Sequence, residues 1–512
     1  MDAIKTWLRR FVNGAALVVV SFAVFGVSAF QSSAQESQVT IALVVEPENL
    51  DPCDAPSDRV GKVLLGNIVE RLLDRDLSTG QLKPELATSW ELVDDRTWRF
   101  HLREGVEFHD GTPFNAEAAK YSIDRSMNEN IACQIREKFF SDRSLEVTVV
   151  DDMTIDVATD IDDPILPLLL SAHVMHPLSV PLDENVRAGG GTGPYRFVDW
   201  RAGREIVLER NPDYWGDAPD ADRVVFVWRP ESTVRTAMVV NGEADLATDI
   251  SFQDAQSHQE ISASFPNAET TRIVYYARPP MTDPRVRAAI NYAIDREGLR
   301  GTILAPGVEF AKALVRPSVN GHNPNLAIWP YKPDVARALI ADAAADGVAV
   351  DREIEFIGRQ GHFPNVDEFM EAVTAMLNDA GLNVRLRMVE GPQRSQMMRP
   401  PYPEEPRLFV DQHDNTLGDA VATLFHKGHS KGRSSLGNDD PYLDFLIDYA
   451  TQQTGTERTW AWQRAFERLN LALVREALLY HMVGFVAIGP RIDFVPTERT
   501  RSEIRLADIK LK

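Results

Sequence analysis

The chain has 512 residues, a formal charge of −22 and two cysteines. That length is enough for two or three lobes with sizeable cores, and an ordinary composition, 44% apolar and 25% charged, excludes wholesale disorder. The acidic balance disfavours nucleic acid and anionic lipid as partners, and two cysteines in so long a chain exclude a disulfide-built scaffold.

In chain order, Lys5, Arg9 and Arg10 make a basic start, Ala15 to Phe30 is an uncharged apolar run, and Ser32-Ser33-Ala34 offers small residues for cleavage. This is the layout of a secretory signal over residues 1–34. The apolar run is shorter than the ~20 residues a membrane span needs, which sets the signal reading above that of an uncleaved anchor. No cysteine follows it to carry a lipid. Arg9-Arg10 hints at twin-arginine export, although the neighbouring residues fit that motif poorly. Removing residues 1–34 takes away three basic groups and Asp2, leaving −24. Export makes a Cys53–Cys133 bridge chemically possible; two separate buried thiols are the alternative.

Val39 to Val45 reads as a strand ended by Pro47, and Asn49-Leu50-Asp51-Pro52 as a turn. Residues 60–73 read as a helix with Val60, Val63, Leu64, Ile68 and Leu72 on one face. Thr97 to Leu102 alternates as a strand, with Trp98, Phe100 and Leu102 on one side. Asn115 suits the N-cap of a helix from Ala116, and residues 145–150 and 153–158 read as strands. Gly189-Gly190-Gly191-Thr192-Gly193-Pro194 reads as the most flexible stretch, a crossing between lobes. A phosphate-binding loop would need a helix next, whereas Pro194 to Val198 reads as a strand. Asp283-Pro284 starts a helix whose Val286, Ala289, Ile290, Ala293 and Ile294 share one face. Further helices are predicted near Pro333 and over 366–380, 440–451 and 458–475, with strands at 384–389 and 483–488. Strands and helices mixed throughout predict α/β lobes.

Candidate chemistry is sparse. Gly428-His429-Ser430-Lys431-Gly432 matches the G-x-S-x-G nucleophile pattern, but that chemistry needs a sharp strand-to-helix turn. Here the serine lies in a polar run from Lys427 to Asp440 that reads as a surface loop. His413, His426 and His429 are close in sequence, with His481 later, yet no H-E-x-x-H or paired C-x-x-C pattern accompanies them. Asp411, Asp414 and Asp419 lack the spacing of a calcium loop. The pairs Asp94-Asp95, Asp151-Asp152 and Asp162-Asp163 read as turn residues. No metal, cofactor or catalytic group is predicted; a serine hydrolase and a metal-chelate carrier are the competing readings.

An ordered set of motifs carries a resemblance. Asn49-Leu50-Asp51-Pro52, Pro84-Glu85-Leu86-Ala87-Thr88-Ser89-Trp90-Glu91 and the stretch Leu102 to Phe114, which contains His109-Asp110-Gly111-Thr112-Pro113-Phe114, come first. Gly191-Thr192-Gly193-Pro194-Tyr195, Glu209 to Trp215 and Asp283 to Arg296 follow. Together they resemble the extracellular solute-binding proteins of oligopeptide, dipeptide and nickel importers (family 5 type). The resemblance implies a periplasmic-binding-protein-like type II fold: three lobes, a hinge and an interlobe ligand cleft. Lobe I would comprise residues 38–75, 190–275 and 486–512; lobe II, 76–189; lobe III, 276–485. It also implies a periplasmic monomer that delivers a small solute, peptide-like first and an opine, glycoside or metal chelate second, to an inner-membrane ABC permease.

The resemblance points to two places for the ligand. Arg359 and His362, in Arg359-Gln360-Gly361-His362-Phe363-Pro364, fall where dipeptide-type members hold an arginine near the solute's carboxylate, a task suited to a bidentate guanidinium. His413, Asp414, Asn415 and Asp419 fall where those members carry an Asp-Pro element whose aspartate holds the peptide's amino group. This chain has no Asp-Pro there, which weakens the case for a free peptide.

Overall fold

The computed structural model describes residues 37–512 except 77–79, 142, 400, 433 and 438. The predicted secretory segment, residues 1–34, lies outside the described residues. One large sheet organises the rest. Its strands in chain order are β1 (Gln38–Leu43), β2 (Tyr195–Arg201), β3 (Glu205–Arg210), β4 (Arg223–Trp228), β5 (Leu246–Ala247), β6 (Ser262–Tyr275), β7 (Glu309–Phe310), β8 (Glu353–Arg359), β9 (Asn383–Val389), β10 (Arg407–Asp414) and β11 (Glu476–Ile488). Across the sheet the order is β9-β8-β10-β6-β11-β5-β1-β4-β3-β2, with β7 added against β11.

The long strands β6 and β11 form an antiparallel ribbon that belongs to both halves of this sheet. At one end β11 pairs with β5 through Ala487 and Ile488. At the other, β6 pairs with β10 from Glu269 to Tyr275. Between these ends the ribbon's register shifts, from Pro266 opposite Val483 to Thr270 opposite His481. Such a bulge bends a strand and breaks its ladder locally. On one side of the ribbon, β8 lies parallel to both β9 and β10, and β8 is followed by the helix Val366–Asp379, which buries Phe369, Met370, Val373 and Leu377 as its spacing predicts. On the other side, β1 lies parallel to β4 and β5.

A separate antiparallel sheet, made of Ala87–Asp94, Thr97–Leu102, Thr154–Thr159 and Leu145–Asp151 in that spatial order, lies within the segment between β1 and β2. The predicted alternation holds, with Phe100 and Leu102 buried. Asn115 caps the helix Ala116–Met127 by accepting from the Ala118 amide at 3.0 Å. The buried apolar residues of 276–485 divide among three cores, the smallest of which gathers Tyr276, Ile357, Val389, Met398, Phe409 and Leu436. Those of the helices Pro284–Ala293, Pro333–Ala345 and Val366–Asp379 cluster together. Those of 311–326, 420–424 and 443–469 join the core of the β1 side.

Two predicted helices are shorter than their apolar periodicity suggests. The first runs only Asp58–Leu64. Leu65 is extended and Gly66 sits at φ 66°, while the Asn67 side chain donates to the Ile504 carbonyl at 2.7 Å and stops the ladder from continuing. The later one runs Gly455–Glu467, relaxes into a wider turn over Arg468–Ala472 and leaves through Val474 at φ 47°, so β11 begins at Glu476 rather than Val483. The glycine-rich stretch is tightly packed. A Cβ on Gly191 would lie 2.2 Å from the Ile68 carbonyl oxygen, and one on Gly193 would lie 2.3 Å from that of Asn67. Cys53 and Cys133 form a disulfide with their Cα atoms 4.6 Å apart.

Candidate functional site

A cavity of about 310 Å³ opens where the β6–β11 ribbon changes register. Leu43 and Val45 at the end of β1, and Lys62 on the helix Asp58–Leu64, come from one side. Val308, Arg359 at the end of β8, and His362 with Phe363 in the turn after it come from the other. Asn267, Glu269 and Phe485, from the ribbon itself, form the back wall. The size falls within the range of pockets that bury small solutes.

The charges in this cavity are strongly ordered. Arg501, from the C-terminal segment, holds all three acidic side chains of the lining. Its guanidinium meets Asp58 at 3.0 Å, Asp249 at 3.0 Å and Glu269 at 3.1 Å. Asp249 also receives Lys62 Nζ at 2.6 Å, and although burial opposes its charge, Lys62 and Arg501 hold its carboxyl well below the usual range. Burial pushes Glu269 up, against the attraction of Arg501. Arg235 is committed to four backbone carbonyls, those of Thr248, Arg229, Pro230 and Asp249, at 2.6–3.0 Å.

Arg359 differs from the other basic residues of the lining. It makes no ion pair among the described residues, and its buried Nε has no hydrogen-bond partner. Burial lowers its pKa, and Arg394 and Arg501 add to the effect. His362 is buried beside it with Nδ1 equally unpartnered. Desolvation, reinforced by the charge of Arg359, keeps its imidazole far below its ordinary pKa and therefore neutral. A cation and a neutral imidazole thus face the cavity with unused hydrogen-bonding capacity. Buried polar groups are seldom left so unless something else completes them.

The architecture has counterparts in known proteins. Residues 81–410 match the bacterial extracellular solute-binding proteins, family 5. The chain belongs to that family. Among its relatives, heme-binding protein A of Haemophilus influenzae is 26% identical over 462 residues, 83% of either chain. The dipeptide-binding protein of Escherichia coli is 26% identical over 351 residues, 62% of this chain and 65% of that one. The structure of AgaA from A. tumefaciens R10 with agropinic acid superposes with a TM-score of 0.80 at 21% identity, covering 93% of this chain and 99% of that one. The type II periplasmic-binding-protein fold is therefore shared across this family 5 member and its structural neighbours.

Within the family 5 frame, the six residues singled out in the sequence separate into two groups. Arg359 and His362 come together in the cleft. His413, Asp414, Asn415 and Asp419 are not part of its lining. The His413 ring is bonded to the Thr423 hydroxyl. Asp414 accepts from the Thr416 amide at 2.7 Å and lines a separate cavity of about 90 Å³. Asn415 Nδ2 donates to the Ala268 carbonyl at 2.9 Å, which ties β10 to β6. Asp419 is paired with Arg458 at 2.7 Å and accepts from the Asn320 amide nitrogen and the Val421 backbone. These are structural roles created by the register of β10, which local sequence cannot report.

Ser430 follows the helix Val421–Gly428 instead of preceding a helix, and its hydroxyl donates to Asp444. An imidazole base is therefore not its partner, as a nucleophile elbow requires. His481 bonds the Thr270 hydroxyl at 2.8 Å on the ribbon. Among the described residues no group of three or more His, Cys, Asp or Glu side chains converges. Sequence reading did not find Lys62, Asp249, Glu269 and Arg501. Arg501 is one of two arginines in Arg499-Thr500-Arg501, and only the packing of that tail against the helix Asp58–Leu64 brings it to the cavity.

Proposed function

We propose that this chain is the periplasmic receptor of an ABC importer and that it captures one small solute in the cleft between β1 and the turn after β8. The observation that carries the reading is the unpartnered pair Arg359 and His362 at a cavity built across the β6–β11 ribbon. Three lobes follow the boundaries 38–75 with 190–275 and 486–512, 76–189, and 276–485. The ribbon serves as hinge, and the register shift next to Glu269 is where it bends. Closure buries the solute, and the closed form presents it to an inner-membrane permease. The protein acts as an exported monomer, its leader removed, and carries out no chemistry on the solute.

A peptide-like solute with an acid group fits the cavity better than a neutral glycoside, because an uncharged sugar would leave the Arg359 guanidinium buried without a partner. A metal chelate receives less support, since the histidines at 413, 426 and 429 lie outside the lining. Native mass spectrometry of protein purified from the periplasm without refolding tests the receptor reading. The expected result is a defined extra mass displaced by an excess of added solute. A bare protein that also fails to bind any member of a broad solute library would reject it.

A further inference from the structure

We infer that the cleft selects its solute by a single anionic group and offers no place to a cationic one, so that it takes amine-free or amine-blocked organic acids in preference to zwitterionic peptides. This rests on the receptor reading above and narrows it to a chemical class.

The cavity lining holds five basic side chains, Arg59, Lys62, Arg235, Arg359 and Arg501, against three acidic ones, Asp58, Asp249 and Glu269. All three carboxylates are bound to Arg501, and one of them also to Lys62. An ammonium group entering the cavity therefore finds no carboxylate without a basic partner among the described lining residues and meets the charge of Arg359 instead. Acids beyond the lining are engaged as well, Glu48 by Arg59 at 2.6 Å and Asp254 by the hydroxyls of Ser232 and Ser251. Asp411 is shared by Arg272 at 3.1 Å, Arg394 at 2.8 Å and Lys427, and Asp419 belongs to Arg458. Uncharged polar side chains of the lining are engaged too, Asn267 Oδ1 by the Glu269 amide at 3.0 Å and Ser232 by Asp254. Ser251 donates to Asp254 at 2.7 Å, and Asn365 donates to the Ile303 carbonyl at 2.8 Å.

What remains open is a guanidinium fork and a neutral imidazole, which together suit the two oxygens of a carboxylate or the oxygens of a phosphoryl group. The rest of the wall is apolar: Leu43, Val45, Phe252, Val308, Phe363 and Phe485. The complementary solute has one acid end and an apolar or polar-neutral body. Desolvating an ammonium in such a site without a counter-charge is strongly unfavourable, and this sets the discrimination.

Identifying the co-purified solute by mass spectrometry, together with calorimetric titration of defined probes, tests the inference. The probes are hippurate and N-acetyl-Leu-Leu as amine-free acids, phenyl phosphate as the phosphoryl counterpart, Leu-Leu as zwitterion, Leu-Leu amide as cation and methyl glucoside as neutral. The expected result is an acidic solute without a free amine, with acids binding about tenfold or more tighter than the matched zwitterion and the amide not binding. The ratio of hippurate to phenyl phosphate then tells a carboxylate from a phosphoryl site. A co-purified zwitterion, or Leu-Leu binding as tightly as its acetylated form, overturns the inference and leaves the receptor reading intact. Failure of every probe together with a bare protein overturns both. Arg359→Gln should weaken binding of the best acid by about ten- to a hundredfold without lowering the unfolding temperature, because it removes no internal partner. His362→Gln should weaken it less. Unchanged affinity in both variants would also overturn the inference.

Discussion

Arg501 and Arg359 are two arginines of one cavity with opposite duties. Arg501 is the internal counter-charge of Asp58, Asp249 and Glu269. Replacing it with Met leaves Asp58 and Glu269 without their counter-charge and Asp249 with Lys62 alone; the carboxylates are partly buried, so the cost falls below the roughly 3–5 kcal/mol of breaking a fully buried ion pair. Arg501→Met is therefore expected to lower the unfolding free energy by about 1–3 kcal/mol, read from urea denaturation followed by circular dichroism. Arg359, without a partner, should show no such loss. Glu85 makes a pH prediction. Burial, and then the charges of Glu70 and Asp74, push its carboxyl up to about 8. The folded chain thus keeps a proton there that the unfolded chain has lost above about pH 4.3. The contribution is fully present below that value and is lost as pH rises towards 8. Glu85→Gln, which mimics the protonated form, should flatten the fall in melting temperature between pH 5 and pH 8. An identical slope in both proteins would show that Glu85 is ionised when folded. Neither arginine's duty follows from its neighbours in sequence; Arg359 was found because it precedes a helix within a resembling motif, and Arg501 carried no local signal.

Between elements, the motifs that mark the family turn out to be joints. Glu70 accepts from Thr192 Oγ1, Tyr214 Oη and Trp215 Nε1, each at 2.8 Å, so the Gly-Thr-Gly-Pro-Tyr and Asn-Pro-Asp-Tyr-Trp stretches meet on one buried carboxyl. His109 Nε2 donates to the Gly193 carbonyl at 2.9 Å, with burial lowering its pKa to about 4. Asp51 accepts both terminal nitrogens of Arg125, at 3.0 and 2.9 Å. The glycines at 191 and 193 are required by this close approach, although composition suggests a loose tether. Gly191→Ala should destabilise the fold by about 1–3 kcal/mol through overpacking against backbone that cannot yield, read as a lower thermal midpoint; an unchanged midpoint would mean that the crossing is slack. The Cys53–Cys133 bond spans 80 residues and links the segment after β1 to the one after the helix Ala116–Met127. Cys53→Ser with Cys133→Ser is expected to cost about 2–4 kcal/mol, and adding reductant to the unaltered protein should have the same effect.

For the whole molecule, the ribbon of β6 and β11 forms the back wall of the cleft and pairs with the strands on both sides of it. A solute that bridges the two sides stabilises the folded protein by mass action, by about 2.7 kcal/mol at a hundredfold excess over Kd. It should also reduce the radius of gyration in solution scattering if the ribbon bends. Thermal stabilisation without contraction would mean that the cleft is already closed when empty.

Sequence by itself determined a good deal. Local capping and periodicity placed most helices and strands, because a cap such as Asn115 or Asp283 and an alternating run such as Thr97 to Leu102 act within a few residues. The ordered motifs identified the family, because joints between segments distant in sequence constrain residue type tightly. Only the tertiary structure decided which charges are spent and which are free. Nothing local marks Asp414 and Asp419 as already engaged, and nothing local marks Arg501 as reaching the cavity. Whether a charge can meet a solute depends on partners tens to hundreds of residues away, and those partners are set by sheet register and by the packing of the C-terminal tail, which no local pattern encodes.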